Sequence, residues 1–319
     1  MDTDRTIAVL RADTHGLSAR EYAAELDARL ADYDVKYAAT PEAEREYVAD
    51  AEIVTGVGLS EDLLDRASEL ELFACAFAGV DHLPMDALRD RGVAVTNAAG
   101  IHAPGIAEQV LGYVLTFARN LHEGIRRSDR GEWRHYGAHG ELTDSTVTIV
   151  GLGAIGTAVA ERLDGFGAHT VSVRYTPEKG GPTDEVIGFD PADLHDAFAR
   201  TDYLVLACPL TDTTRGLIGP EEFETLAPES VLVNVARGGV VNTNALVAEL
   251  KREGIRGAAL DVTKPEPLPD DHDLWTLENC IVTPHNAGHT PRHWERLADI
   301  LEENTRRLES GAELKNRVD

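Results

Sequence analysis

The sequence predicts an α/β protein built from two doubly wound parallel sheets, and three observations predict it. Short β-rich runs alternate with longer helical patterns along the whole chain. The segment Gly151-Leu152-Gly153-Ala154-Ile155-Gly156 follows one such run and opens a helix. The length, 319 residues, suffices for two domains that each bury a core.

Thr6–Leu10 reads as the first strand, and Ser18 as the N-cap of a helix running to about Ala31. Strands at Asp34–Tyr37, Glu52–Val54, Leu72–Phe77 and Val93–Thr96, with a helix from Ser60 to about Leu70, complete a small sheet ending near Asn97. Gly100–Gly105, which contains Pro104, reads as a hinge, and Ile106–Leu121 as a helix. Glu123–Asp144 is polar and irregular, too long for a plain connection, and so functional or an inter-subunit arm.

The second lobe shows strands at Thr146–Val150, Thr170–Val173, Glu185–Gly188, Tyr203–Ala207, Val231–Val235, Ala258–Leu260 and Ile281–Val282, with helices between them. A last helix, about Pro291–Ser310, is expected to cross back onto the first lobe. The expected division is therefore residues 1–99 with 290–319 as one domain and 100–289 as the other.

Acidic residues number 56 against 30 basic ones, a formal charge of −26. A field of that sign repels phosphate backbones, which excludes a nucleic-acid partner. The acid is dispersed and 43% of residues are hydrophobic, which argues against disorder. Only five residues are lysines, large aromatics are few, and carboxylates abound; this composition predicts a surface that stays hydrated in concentrated salt, a halophilic protein.

Cys75, Cys208 and Cys280 stand singly in apolar runs and read as buried thiols, not disulfides or zinc ligands. No apolar run has the length of a membrane span, and Met1-Asp2-Thr3-Asp4 lacks a leader pattern. A soluble protein of a reducing, cytoplasmic compartment without a membrane partner is expected. His135 and His139 lie in a glycine-rich stretch without a nearby carboxylate cluster, so no metal is expected. Trp133 could approach a substrate pocket from the arm or anchor the arm, and His289 and His293 either line the cleft or, the favoured reading, start the last helix.

The glycine segment carries the clearest chemistry. Gly151, Gly153 and Gly156 let the backbone turn tightly and approach a pyrophosphate, which sits at the helix N-terminus formed by Ala154 and Ile155. About 20 residues past such a motif, NAD enzymes place a carboxylate on the ribose 2′-hydroxyl. Here the strand ends in Arg174, followed by Tyr175 and Thr176. A guanidinium suits a 2′-phosphate, so NADP(H) is expected over NAD(H), which stays possible.

Arg237, Asp261 and His285 also follow strands, and Glu266 lies five residues past Asp261. In an open parallel sheet these strand ends form one ligand-binding edge. The set suits hydride transfer at a 2-oxo acid: His285 donates a proton to the developing alkoxide, Glu266 favours its imidazolium, and Arg237 pairs with the substrate carboxylate.

These motifs resemble the D-isomer-specific 2-hydroxyacid dehydrogenase family over nearly the whole chain. Those that carry the resemblance are Gly151–Gly156, Cys208-Pro209-Leu210-Thr211, Asn234–Gly239, Asp261–Pro269 and Thr283-Pro284-His285. Phe77-Ala78-Gly79-Val80-Asp81 is similar to its substrate-carboxylate loop, and Gly100–Ala103 with Ile106–Glu108 to its hinge helix.

The resemblance implies a Rossmann-type cofactor domain, a flavodoxin-like substrate domain and an active-site cleft between them. It implies a homodimer, with residues of about 106–144 as the dimerisation arm. Arg237, Glu266 and His285 would be catalytic, and Asp261 would hold the nicotinamide carboxamide. Cys208, Pro209, Thr214, Val235, Ala236 and His285 would line the cofactor; Ala78, Gly79, Val80, Arg237 and His285 would meet a small 2-oxo or 2-hydroxy carboxylic acid. Arg174 departs from the family's commoner acidic residue and points to its NADPH-dependent glyoxylate/hydroxypyruvate-reductase-like branch. Thr263-Lys264 departs from the usual aromatic after Asp-Val. The rival expectation is a non-enzymatic, dinucleotide-sensing scaffold of the same fold.

Overall fold

The computed structural model describes residues 5–14 and 16–319, so the Met1–Asp4 stretch, without a leader pattern in sequence, lies outside the described residues. The chain divides into two compact units: residues up to His102 together with His289–Asp319, and Ala103–Gly288.

The first unit is a five-stranded parallel sheet. Its chain order is β1 (Thr6–Val9), α1 (Ala19–Arg29), β2 (Asp34–Tyr37), α2 (Pro41–Tyr47), β3 (Ile53–Gly56), α3 (Glu61–Leu64), β4 (Leu72–Cys75), α4 (Met85–Asp90) and β5 (Ala94–Thr96). The strand order β2-β1-β3-β4-β5 reverses direction after β1, as double winding requires. The inner strands β1, β3 and β4 are buried along their whole length because both faces are covered, whereas the edge strand β2 is polar and partly exposed. Ile7 and Val9 face one core with Tyr22 and Leu26 of α1, whereas Ala8 and Leu10 face the other with Val48 and Leu64.

Ser18 caps α1 through its hydroxyl, which accepts the Arg20 N–H at 3.3 Å. Ser60 likewise caps α3, but that helix stops at Leu64 instead of reaching Leu70. Beyond it the chain tightens into bonds three residues apart, Arg66 N–H to Leu63 and Ala67 N–H to Leu64, which do not propagate an α-helix.

The second unit begins with α5 (Ala103–Ala118) and α6 (Leu121–Asp129). It continues with β6 (Thr146–Val150), α7 (Ala154–Leu163), β7 (His169–Val173), β8 (Glu185–Ile187), α8 (Pro191–Phe198), β9 (Tyr203–Leu206), α9 (Pro220–Thr225), β10 (Val231–Asn234), α10 (Thr243–Lys251), β11 (Gly257–Leu260) and β12 (Cys280–Val282). The seven strands, ordered β12-β11-β10-β9-β6-β7-β8, are all parallel. Tyr203 and Val205 point into the core under α5 and α7, and Leu204 and Leu206 into the opposite one. The final helix, α11 (His293–Ser310), belongs to the first unit, where Trp294 stacks on Tyr22 at 4.8 Å.

Pro104 and Gly105 lie in the first turn of α5, where proline lacks only a donor that would be unpaired anyway, and the boundary between the units, after His102, falls inside Gly100–Gly105. One expectation needs correction. The stretch from Glu123 is not irregular throughout, because α6 covers Leu121–Asp129. This helix buries no residue and is held by the Glu123–Arg127 pair at 2.5 Å; its apolar Leu121 and Ile125, four residues apart, are exposed. Among the described residues, no helix is long and apolar enough to cross a membrane.

The sheet and α5 meet closely at Gly257. A Cβ there would lie 2.4 Å from Phe117 Cε1 and 2.7 Å from the Asn279 carbonyl. Gly257→Ala is therefore expected to destabilise the fold by about 2 kcal/mol, the usual scale of overpacking, read as a lower midpoint of chemical denaturation.

Candidate active site

Because all seven strands of the second unit are parallel, the loops following β6, β7, β9, β10, β11 and β12 leave one edge of the sheet. At the reversal point between β6 and β9, the loops after β6, β7 and β9 enclose a cavity of about 750 Å³. Its walls include Gly151 and Gly153 from the glycine turn, Arg174, Tyr175 and Thr176 after β7, and Cys208, Pro209 and Thr214 after β9.

Local chemistry explains the glycines. Gly151 has φ +100°, and a Cβ on it would meet Cys208 Cα and N at 2.7 Å. Gly156 lies against the Gly151 carbonyl, 2.0 Å from where its Cβ would be. Gly153, by contrast, has nothing within 4 Å of that position and caps α7 without a side chain. The first N–H groups of α7 thus face open space, which fits an anionic pyrophosphate.

The cavity also holds residues that the sequence reading missed: Lys179, Phe189 and Asp212 line it. Lys179 lies three residues beyond Thr176 and is one of only five lysines, which was the available signal. Arg174 is half-buried and donates to the Gly180 carbonyl at 2.5 Å. Among the described residues neither Arg174 nor Lys179 has a carboxylate partner within 4 Å, although carboxylates abound in this chain. Tyr175 is 82% exposed, with its ring 6.3 Å from Phe189. The Thr214 hydroxyl is spent on its own loop, donating to the Pro209 carbonyl at 2.6 Å.

The proposed reacting groups follow the next three strands. Arg237, after the buried Val235 and Ala236, is exposed and donates to the Ala236 carbonyl at 2.7 Å. Its neighbour Gly238 presses on the loop that carries Glu266: a Cβ there would sit 1.9 Å from the Thr263 carbonyl oxygen. Glu266, between the cis bonds Lys264–Pro265 and Glu266–Pro267, accepts from His285 Nδ1 at 2.5 Å. A carboxylate only accepts, so Nδ1 carries the proton and Nε2 is left for another partner.

His285 has φ +51°, a conformation non-glycine residues rarely adopt. Its loop is gathered by Asp261, which is 3% exposed. Oδ1 accepts the Thr283 hydroxyl at 2.6 Å and the Asn286 N–H at 3.0 Å; Oδ2 accepts the Ala287 N–H at 3.0 Å. The Asp261 carbonyl takes the His285 N–H at 2.9 Å. One carboxylate lone pair is left over, on Oδ2.

Not every residue expected at the site joins the cavity. Ala154, Ile155, Gly156, Val235, Ala236, Arg237, Asp261, Glu266 and His285 lie outside its walls, along the same sheet edge. Ala78, Gly79 and Val80 belong to the first unit, in the loop after β4. There Asn97 Nδ2 donates to the Ala78 carbonyl at 2.6 Å, and Ala78 and Gly79 are exposed. Among the described residues, no group of three or more His, Cys, Asp or Glu side chains is placed to hold a metal.

A doubly wound sheet with an open glycine turn at its reversal point and a His–Glu pair further along the same edge defines a dinucleotide-dependent oxidoreductase. The comparisons are specific. The sequence pattern of the D-isomer specific 2-hydroxyacid dehydrogenase NAD-binding domain matches residues 111–287, and the chain belongs to that family of dehydrogenases and reductases, which interconvert CH–OH and carbonyl groups.

Among its relatives is the D-3-phosphoglycerate dehydrogenase of Methanocaldococcus jannaschii, 32% identical over 91% of this chain; the match spans 56% of that longer protein. The human glyoxylate reductase/hydroxypyruvate reductase is 36% identical over 72% of this chain and 71% of its own. A solved structure from Sinorhizobium meliloti, an NADPH-dependent glyoxylate/hydroxypyruvate reductase in complex with NADP and sulfate, superposes with TM-score 0.77 at 26% identity, covering 99% of this chain and 98% of that one.

Proposed function

We propose that this protein is an NADP-preferring D-2-hydroxyacid dehydrogenase that reduces small 2-oxo carboxylic acids of the glyoxylate and hydroxypyruvate class. The His285–Glu266 pair carries the reading. With Nδ1–H bound to Glu266, Nε2 of the imidazolium gives its proton to the carbonyl oxygen of the substrate as hydride reaches the carbonyl carbon. The nicotinamide supplies that hydride. Arg237, exposed three residues past the buried end of β10, pairs with the substrate carboxylate and draws electron density toward the carbonyl oxygen.

The glycine turn takes the pyrophosphate, and Arg174 with Lys179, both free of carboxylate partners among the described residues, takes a 2′-phosphate. The NADP bound to the Sinorhizobium meliloti relative supports this preference, with NAD(H) as the weaker cofactor. The nicotinamide carboxamide has the remaining Asp261 lone pair. A homodimer belongs to the same reading, because Leu121 and Ile125 of α6 are 47% and 63% exposed and Trp133 is fully so. Three buried, unpaired cysteines suit a cytoplasmic setting, and the −26 charge suits concentrated salt.

Three measurements test this reading. Oxidation of NADPH with a panel of 2-oxo acids should be rapid for glyoxylate or hydroxypyruvate and fall at least about 100-fold in His285→Asn, the scale of a general acid. Undiminished turnover in the variant removes His285 from the mechanism. Arg174→Asp should move the ratio of kcat/KM for NADPH over NADH toward NADH by tenfold or more, about the ~1.5–3 kcal/mol of a charge-assisted hydrogen bond. An unmoved ratio ends the 2′-phosphate assignment. Lowering salt from molar to millimolar should raise KM for the acid or lower the melting temperature, because the Debye length grows from about 3 Å at 1 M to about 30 Å at 0.01 M.

A further inference from the structure

The loop bearing His285 is tied to helix α5 through one residue that the mechanism above does not use. The Thr283 hydroxyl has a single proton, and it goes to Asp261 Oδ1 at 2.6 Å. Tyr113 Oη lies 2.5 Å from the same Thr283 oxygen. With the threonine proton spent, the phenol must be the donor. Gln109, one turn earlier on α5, hydrogen-bonds the Tyr113 side chain. Tyr113 is 5% exposed, and burial pushes its phenol above the usual value, which keeps the proton in place for donation. In sequence it sits among the apolar residues of a core helix and reads as packing alone.

The chain of bonds has a mechanical consequence. A hydroxyl that accepts a hydrogen bond becomes a stronger donor. Donation from Tyr113 therefore tightens Thr283 onto Asp261 and fixes which carboxylate oxygen faces which N–H. That orientation gathers Asn286 and Ala287 and holds the intervening His285 backbone at φ +51°.

We propose that Tyr113 is a positioning residue for the proton donor, acting through Thr283 and Asp261 on the loop that sets His285. The proposal rests on the reading of His285 as the acid.

Tyr113→Phe removes one oxygen and keeps the ring. The readouts are kcat per cofactor-binding site, titrated by NADPH fluorescence, and the isotope effect with NADPH deuterated at the transferred position. Glyoxylate or hydroxypyruvate, whichever the wild type reduces, serves as substrate. The expected result is a fall in kcat of about fivefold, the scale of one hydrogen bond, with a larger isotope effect and little change in NADPH affinity. Thr283→Val should do the same and Thr283→Ser should not. The two losses should not add when Tyr113→Phe and Thr283→Val are combined.

A purely structural role would lower the melting temperature or the number of titratable sites while leaving kcat per site and the isotope effect unchanged. That result overturns the proposal, as does full additivity. If Tyr113→Phe does not fold, the Thr283→Val and Thr283→Ser pair decides by the same readouts. A wild type that reduces neither acid overturns the activity and this inference with it. An active wild type matched by Tyr113→Phe overturns this inference alone.

Discussion

A carboxylate buried at the end of β11 organises the edge of the sheet on which the chemistry depends. Asp261 is almost wholly withdrawn from water, and a buried carboxylate is tolerated only when its lone pairs are filled. Three of its four are filled, by the Thr283 hydroxyl and the backbone N–H groups of Asn286 and Ala287. Satisfying Asp261 therefore shapes the loop from 283 to 287, and His285 comes to rest in a left-handed conformation it would not adopt unaided. A second constraint acts from β10, where Gly238 has no side chain and the Thr263 carbonyl occupies the space one would fill. The loops bearing Arg237, Glu266 and His285 are thus fixed to one another by backbone contacts at Gly238 and by the buried carboxylate.

The overall charge and the local chemistry have opposite signs. A chain of net charge −26 would repel both an anionic acid and an anionic dinucleotide at long range. Most arginines of the surface are tied to carboxylates, as in the Arg306–Glu302 and Arg307–Glu303 pairs of α11. Arg174, Lys179 and Arg237 are not, among the described residues, and Arg174 and Arg237 donate instead to carbonyl groups of their own neighbourhood. A carbonyl orients a guanidinium without cancelling its charge, so the cations stay available to an anion at short range. Acid on the outside governs hydration; the cations that bind are set apart from it by hydrogen bonding.

What was legible in the sequence follows from what leaves a pattern. All twelve strands among the described residues left one, most of them as apolar runs covered on both faces, whereas β2 and β8, at the edges of their sheets, are more polar. The glycine turn was legible because Gly151 and Gly156 are required by contact. The helices α2, α4 and α6 were not: the first two are a turn or two long, and α6 buries nothing. At the site, Arg174, Glu266 and His285 stood out by position after strands. Lys179 did not, since only the turn after β7 brings it back to the cavity. Tyr113 is hidden for the opposite reason: its phenol has a partner 170 residues away, and nothing in the local sequence distinguishes it from a core aromatic.

Exposure decides what aims the imidazole. The side chains of His285 and Glu266 are 49% and 38% exposed, and an ion pair so open to water contributes at most about 1 kcal/mol. It cannot hold a histidine in a left-handed conformation whose own cost is about 1–3 kcal/mol. The restraint must come from below, from hydrogen bonds shielded from solvent, and those are the ones that Asp261 and Thr283 make. Glu266 can then serve for protonation without also serving as the anchor. Arg237 and His285 are exposed and lie within two residues of a buried one: Arg237 directly after Ala236, and His285 two residues before Ala287. The buried residue fixes the backbone, and the exposed one is left free to meet the substrate.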